Sequence, residues 1–457
     1  MAGTSVPVSG FVEGQPAPPR RRRRPVDATA ALTAYLVLLF GIPSALVFGP
    51  LGGSGTPANM FGLGLLLWWV LAKLGSGLGV DRTRQPVRIA LLALLLPVLA
   101  SLVTFYFAPF TGLEASGVYR GLVYLAALFG VCLVAADGIP TIERAHVLMH
   151  RIVHGAAAVA AVGAIEFLIG WRPAMTLAIP GLTRLGVVVE QGRSSFVRVQ
   201  STTLHPIELS ALLGLMLPIA VHYALVSKGK RRRIAWLEVA LIGGVLPLAL
   251  SRTGVVAAVV GMTVVAFGWT WKMRGRALLI TLVGLAGLRV AVPGLIGSLF
   301  ALFSHITQDS STTVRQARYE IAGHHFLLHP WFGRGFNTLF PATQQVFDNA
   351  YLYVATEQGA FGVAGTLLFF LMTIFIARGI RLRATDEETR GLGQALTGSF
   401  AAMAVMFATA DMMSFTMAIG LLFLLVGVAG AFWRLLGGGV RPGSGATARP
   451  ASPLLPA

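Results

Sequence analysis

Apolar runs long enough to cross roughly 30 Å of hydrocarbon recur along the whole chain, separated by short polar or basic connections. The pattern predicts about twelve membrane spans: 30–48, 58–75, 89–107, 118–136, 152–170, 204–226, 234–250, 254–271, 277–300, 350–376, 393–410 and 413–433. The expected fold is therefore all-α, a polytopic transmembrane helical bundle spanning 30–434. A long, partly helical extracytoplasmic loop, 301–349, joins the ninth and tenth spans. Residues 1–29 and 435–457 are rich in Pro, Gly, Ala and Ser and read as disordered cytoplasmic tails. Arg20 to Arg24 precede a full-length span and not a short cleavable apolar region, so a retained anchor is expected.

Composition agrees with that pattern. Of 457 residues 55% are apolar and 12% charged, half the charge of a typical soluble domain, and the mean hydropathy is +0.74. The net charge of +18 does not imply nucleic acid, because the basic residues lie in short clusters between spans. With the N-terminus inside, the two tails, Lys73 and the loops around Arg88, Arg144, Arg231, Arg274 and Arg381 hold 26 of the 36 Lys and Arg. The positive-inside rule then puts both termini in the cytoplasm. Cys132, the single cysteine, falls within a span, which excludes an intrachain disulfide and reads as a small buried hydrophobe.

Candidate chemistry gathers in the segments left outside. Two of these are long, 171–204 and 301–349, and long connections in a compact protein are usually functional or disordered. A third is short: Ser251-Arg252-Thr253-Gly254 interrupts an apolar stretch too long for one span, which marks a tight hairpin at the outer surface. The ten remaining basic residues are all arginine, whose planar fork binds phosphate oxygens in pairs. With only four lysines in the chain that composition carries little, and position carries more. Arg252, at a helix break near the membrane, reads either as an anion contact or as a headgroup contact. His324, His325 and His329 lack the spacing and companion carboxylate of a zinc site. Gly333-Arg334-Gly335 reads as a turn, since it lacks the lysine and the strand-to-helix setting of a phosphate loop. No metal or nucleotide cofactor is expected. A carrier is the alternative, but it needs acids facing a midplane cavity, and Glu166, Glu208, Glu238 and Asp411 lie near span ends or junctions.

Three motifs resemble the O-antigen ligase/polymerase family of membrane glycosyltransferases. Arg198-Val-Gln-Ser-Thr-Thr-Leu-His205-Pro206-Ile-Glu208 is similar to the family's Arg-x-x-Gly-Thr-Phe-x-x-Pro stretch, with Ser201 where glycine is usual. Leu250-Ser251-Arg252-Thr253-Gly254 resembles its Ser-Arg-Gly turn. The block from Arg315 to Gly362 is similar to its His-Pro-x-x-Gly-x-Gly segment followed by His/Asp-Asn-x-Tyr-Leu. Here it carries His329-Pro330, Gly333, Gly335, Asp348-Asn349-Ala350-Tyr351-Leu352 and Glu357. The likeness covers about residues 190–365.

The resemblance implies an inverting, metal-independent glycosyl transfer on the outer face of the cytoplasmic membrane. The donor would be a polyprenyl-diphosphate-linked glycan, the acceptor a glycan hydroxyl, and a glycan flippase or chain-length regulator would be a partner. Arg198 and Arg252 would stabilise the departing diphosphate, and Asp348 would accept the acceptor's proton. Arg315, Arg318, His205, His329, Arg334 and Asn349 are the candidate substrate-binding residues. Aspartate at 348, where the family's ligases carry histidine, favours a polymerase over a ligase. Asp348 directly before a span also reads as a helix N-cap, a role compatible with the first.

Overall fold

The structure is a computed structural model that describes residues 27–75, 85–185, 192–193, 196–304, 310–339 and 347–438. The described residues form fifteen α-helices: α1 (Ala28–Gly41), α2 (Pro57–Leu74), α3 (Pro86–Phe107), α4 (Gly112–Gly138), α5 (Ile142–Ile169), α6 (Pro173–Thr176), α7 (Pro206–Val226), α8 (Gly229–Val245), α9 (Arg252–Ala266), α10 (Trp271–Ala291), α11 (Leu295–Ser304), α12 (Ser310–Leu328), α13 (Ala350–Arg383), α14 (Glu387–Phe407) and α15 (Thr416–Trp433). Two short antiparallel ladders complete it, Leu46–Val47 (β1) with Thr183–Arg184 (β2) and Gly192–Arg193 (β3) with Phe196–Val197 (β4). This is a polytopic all-α bundle. Every expected span coincides with a helix, and seven of them (α2, α3, α4, α5, α7, α13 and α15) are long and apolar enough to cross a membrane.

Two expected spans differ in form. The ninth is broken: α10 and α11 meet at 112° across Val292-Pro293-Gly294, where proline removes a donor and Gly294 takes φ +89. The first stops at Gly41, because Ile42 turns extended ahead of Pro43 and the chain enters β1 instead of continuing to residue 48.

The centre is α15, buried at every position from Thr416 to Trp433, with α7 beside it. Gly420, Gly427 and Gly430 let neighbouring helices approach α15 closely from different sides. Glycines permit the closest approaches. Gly62 of α2 lies against the Ala127 carbonyl of α4, and Gly427 of α15 packs on Cys132 and Ala135. Cys132 is buried there as a packing residue.

The chain gathers its basic connections at one end of the bundle. There Asp137 pairs with Lys73 at 3.3 Å and Arg88 at 3.0 Å and accepts Trp69 Nε1–H, tying α2, α3 and α4 together. At the opposite, loop-rich end Leu185 and Leu204 line one cavity with Phe336, Asn337 and Leu339.

Irregular backbone enters the bundle at that loop-rich end, where lipid offers no hydrogen bonds. Buried glutamates supply them. Glu166 accepts from the Gln200 and Ser201 amides. Glu208, fully buried, accepts from the Leu204 amide at 2.7 Å, the Met417 amide at 2.7 Å and Ser44 Oγ at 3.0 Å. Glu357 accepts from the Asn337 amide at 2.9 Å and the Leu339 amide at 3.2 Å. The segment 330–339 docks where α13 breaks at Gly359 (φ +65), giving its Pro330 and Trp331 carbonyls to the amides of Ala360 and Phe361. A Cβ on Gly333 (φ +69) would clash with the Glu357–Gln358 peptide, so this close approach requires glycine.

Glu208→Leu removes one acceptor from three buried donors at once. It should cost about 3 kcal/mol or more and lower the thermal unfolding midpoint of the detergent-solubilised protein, with Glu208→Gln, which keeps an acceptor oxygen, falling between.

Candidate active site at the loop-rich end

The break between α8 and α9 forms because the backbone runs through a 3-10 turn, Leu246–Ala249, and then a left-handed Leu250 (φ 45) before Ser251 starts α9. Arg252 is the first residue of α9. Arg198 reaches the same turn: its Nε donates to the Ala249 carbonyl at 3.0 Å, while the Val199 amide donates to Leu248 at 3.3 Å. Arg198 is buried and Arg252 half-buried. The two arginines expected to act together therefore rest on one turn, from elements more than fifty residues apart.

Ser201 explains the departure at that position of the motif. Its φ is +57, in the left-handed region that favours glycine. Its amide on Glu166 and its Oγ on the Val159 carbonyl at 2.8 Å hold a residue with a Cβ there.

His205 caps α7, its Nδ1 accepting the Ile207 amide at 3.0 Å. An accepting Nδ1 leaves the proton on Nε2, so the ring is a neutral donor. Burial, and then the neighbouring Arg198 guanidinium, push the imidazole down to about 4, with Asp348 acting in the opposite direction. The ring stacks on Phe415 at 5.9 Å, in the connection between α14 and α15.

Asp348 is not the cap of α13. Asn349 holds that place, its side chain accepting the Tyr351 amide at 2.9 Å and the Leu352 amide at 3.4 Å. One residue of register separates the two, and the amide oxygen lies in reach of both first-turn donors. Asp348, half its side chain exposed, instead pairs with Arg318 of α12.

The Ala350 amide donates to the Ala410 carbonyl at 3.1 Å, setting Asp348 beside Asp411. Burial pushes the Asp411 carboxyl up to about 6, and Asp348 acts in the same direction against hydrogen bonds from Ser414. Thr253 Oγ1 donates to the Thr409 carbonyl at 3.4 Å, which brings the Arg252 turn to the same α14–α15 connection.

Arg198, His205, Arg252, Arg318, Asp348 and Asn349 thus converge. The other two described candidates do not join them. Arg334 pairs with Glu114 at the start of α4, fastening the 330–339 segment to that helix. His329 is exposed where α12 ends, and its carbonyl accepts the Gly333 amide. The backbone of Arg315 lies on α12 and its side chain falls outside the described residues. Among the described residues no group of three or more His, Cys, Asp or Glu could hold a metal. The sequence reading underweighted Asp411 and Arg120. Both line a cavity of about 340 Å³ beside the cluster, and the only signal for Asp411 was a charge between two apolar runs.

Residues 237–370 match the O-Antigen ligase family. That match covers 134 of the 457 residues and supports the resemblance to the O-antigen ligase/polymerase family. The matched segment carries Arg252, Arg318, Asp348 and Glu357, while Arg198 and His205 precede it. No curated protein matches the chain.

Asp411 gives a pH signature. Its folded-state pKa of about 6 lies above the ordinary carboxylate range near 4, so the folded protein holds the extra proton between those values. Wild-type stability therefore falls as pH rises from about 4 to about 6 and stays lowered above. Asp411→Asn should unfold at a higher temperature than wild type at pH 7.5, with the gap narrowing as pH drops from about 6 towards 4.

Proposed function

We propose that the protein transfers a glycan from a polyprenyl diphosphate lipid to a sugar hydroxyl, working as a polymerase in preference to a ligase. The loop-rich end faces away from the cytoplasm in this reading, because the opposite end carries the basic clusters. The acceptor oxygen attacks the anomeric carbon from the side opposite the lipid. A new carbon–oxygen bond forms as the bond from that carbon to the phosphate oxygen breaks, and the lipid diphosphate leaves with the electron pair. The hydroxyl proton passes to the Asp348 carboxylate, which Arg318 orients. Inversion at carbon follows from a single displacement.

The observation that supports this reading is the pairing of Arg198 and Arg252 on one turn, with His205 Nε2–H and the Arg318–Asp348 pair alongside. Fixed cations at the leaving oxygens meet charge as it develops, without reorganisation. Of the acids a carrier would need, Glu166 and Glu208 are engaged with backbone amides and Glu238 pairs with His154. A flippase supplying lipid-linked repeats and a regulator of chain length are the partners this activity calls for.

Surface glycan in a deletion strain complemented with variants tests the proposal. Arg252→Lys and Arg198→Lys, which keep charge and lose the fork, should each cut transfer about 10²-fold, leaving single repeats in place of long chains. Asp348→Asn should do the same while leaving the Asn349 cap intact. Unchanged glycan length and amount in all three would rule the assignment out. Retained lipid-linked polymer that never reaches its acceptor would identify a ligase instead.

A further inference from the structure

The cavity beside the arginine cluster differs from it in character. It lies between α3, α4, α13 and α15, and the 336–339 segment and the α14–α15 connection also line it. Its polar lining includes Asp411, Ser414 and Arg120. Ser54 Oγ donates to the Arg120 carbonyl at 2.9 Å, which ties this part of α4 to the segment after β1. The aromatic residues Tyr124, Tyr353 and Phe407 also line the cavity.

The charges sort the two regions. Around the turn, Arg198, Arg252 and Arg318 outnumber Asp348, which suits a diphosphate. The cavity lining holds two carboxyl side chains, Asp411 and Glu357, and one guanidinium, Arg120, a set that suits a hydroxylated ligand better than a diphosphate. Carboxylate and guanidinium groups bind vicinal hydroxyls, and aromatic faces take the apolar faces of sugar rings. A volume of about 340 Å³ with mostly apolar walls and a few polar groups is the usual form of a small-ligand pocket. Asp411 also adjoins Asp348, so a sugar bound in the cavity presents a hydroxyl beside the proposed base.

We infer that this cavity is the acceptor subsite, holding a terminal sugar of the glycan acceptor with Asp411 and Arg120 as its hydroxyl-binding residues. The inference rests on the glycosyl-transfer reading for its ligand class. It assigns donor and acceptor to separate regions: lipid diphosphate on the Arg198–Arg252 turn, acceptor sugar in the cavity.

The test is equilibrium binding to the purified full chain in lipid nanodiscs, with two probes: oligosaccharide fragments of the source cell's own surface polysaccharide, and polyprenyl diphosphate. Asp411→Asn keeps the shape of the site. Gly53→Trp adds an indole to the cavity lining, where an added Cβ meets only Leu185 at 3.8 Å. Each should weaken saccharide binding roughly tenfold or more. Both should leave polyprenyl diphosphate affinity within about twofold of wild type. Arg252→Lys should do the reverse.

Saccharide that fails to bind wild type, or binds both cavity variants as tightly, overturns the subsite. Loss of polyprenyl diphosphate binding in Gly53→Trp also overturns it and gives the cavity to the lipid. If Arg252→Lys leaves the lipid arm unchanged while the cavity variants lose saccharide, the donor assignment falls and the subsite stands.

Discussion

Everything at the loop-rich end depends on carboxylates buried against backbone amides. A chain that turns inside a bilayer-sized bundle exposes N–H groups to a medium that cannot solvate them. Here Glu166, Glu208 and Glu357 each accept two such amides, and between them they fix residues 200–204, the start of α15 and the 337–339 segment. A carboxylate accepts on both oxygens, so one side chain can hold two segments in place. Glu208 does this most fully, joining Ser44 three residues past α1, the approach to α7 and the first turn of α15. The arginine cluster is built on the loops these anchors hold.

That dependence accounts for the conformations found nearby. Ser201 at φ +57 and Leu250 at φ 45 are strained positions for residues with a Cβ, and both flank the arginines. Ser201 is held by Glu166, and Leu250 follows a turn whose carbonyls hold Arg198 and Val199. The Arg198 guanidinium is thereby held on this turn. Cations fixed in advance stabilise a departing diphosphate better than flexible ones, because no reorganisation remains to be done during the reaction.

The span pattern was legible because it depends only on local hydropathy, and so was the break at Arg252. Two boundaries were not, since a proline can end a helix before its apolar run ends: Pro43 did so after α1, and Pro293 with Gly294 bent the ninth span. Asp348 and Asn349 were both plausible caps, and only the geometry of the first turn chose between them. Arg334 looked like its fellow loop arginines, but its partner Glu114 is 220 residues away and sequence spacing gives no hint of it. The roles of Glu166, Glu208 and Glu357 were hidden for the same reason. Near a span end, an acid that binds substrate and one that binds backbone look alike until their partners are seen.

Hydrogen exchange resolved to single amides in the purified protein, free and with polyprenyl diphosphate, tests the account most directly. If the buried carboxylates pre-build the site, the amides of Ser201, Leu204, Asn337, Leu339 and Met417 exchange slowly without ligand. Added lipid should then slow exchange further only around 198–205 and 248–254. Rapid exchange of those five amides in the free protein, with protection arising only when lipid is bound, would contradict a pre-built site.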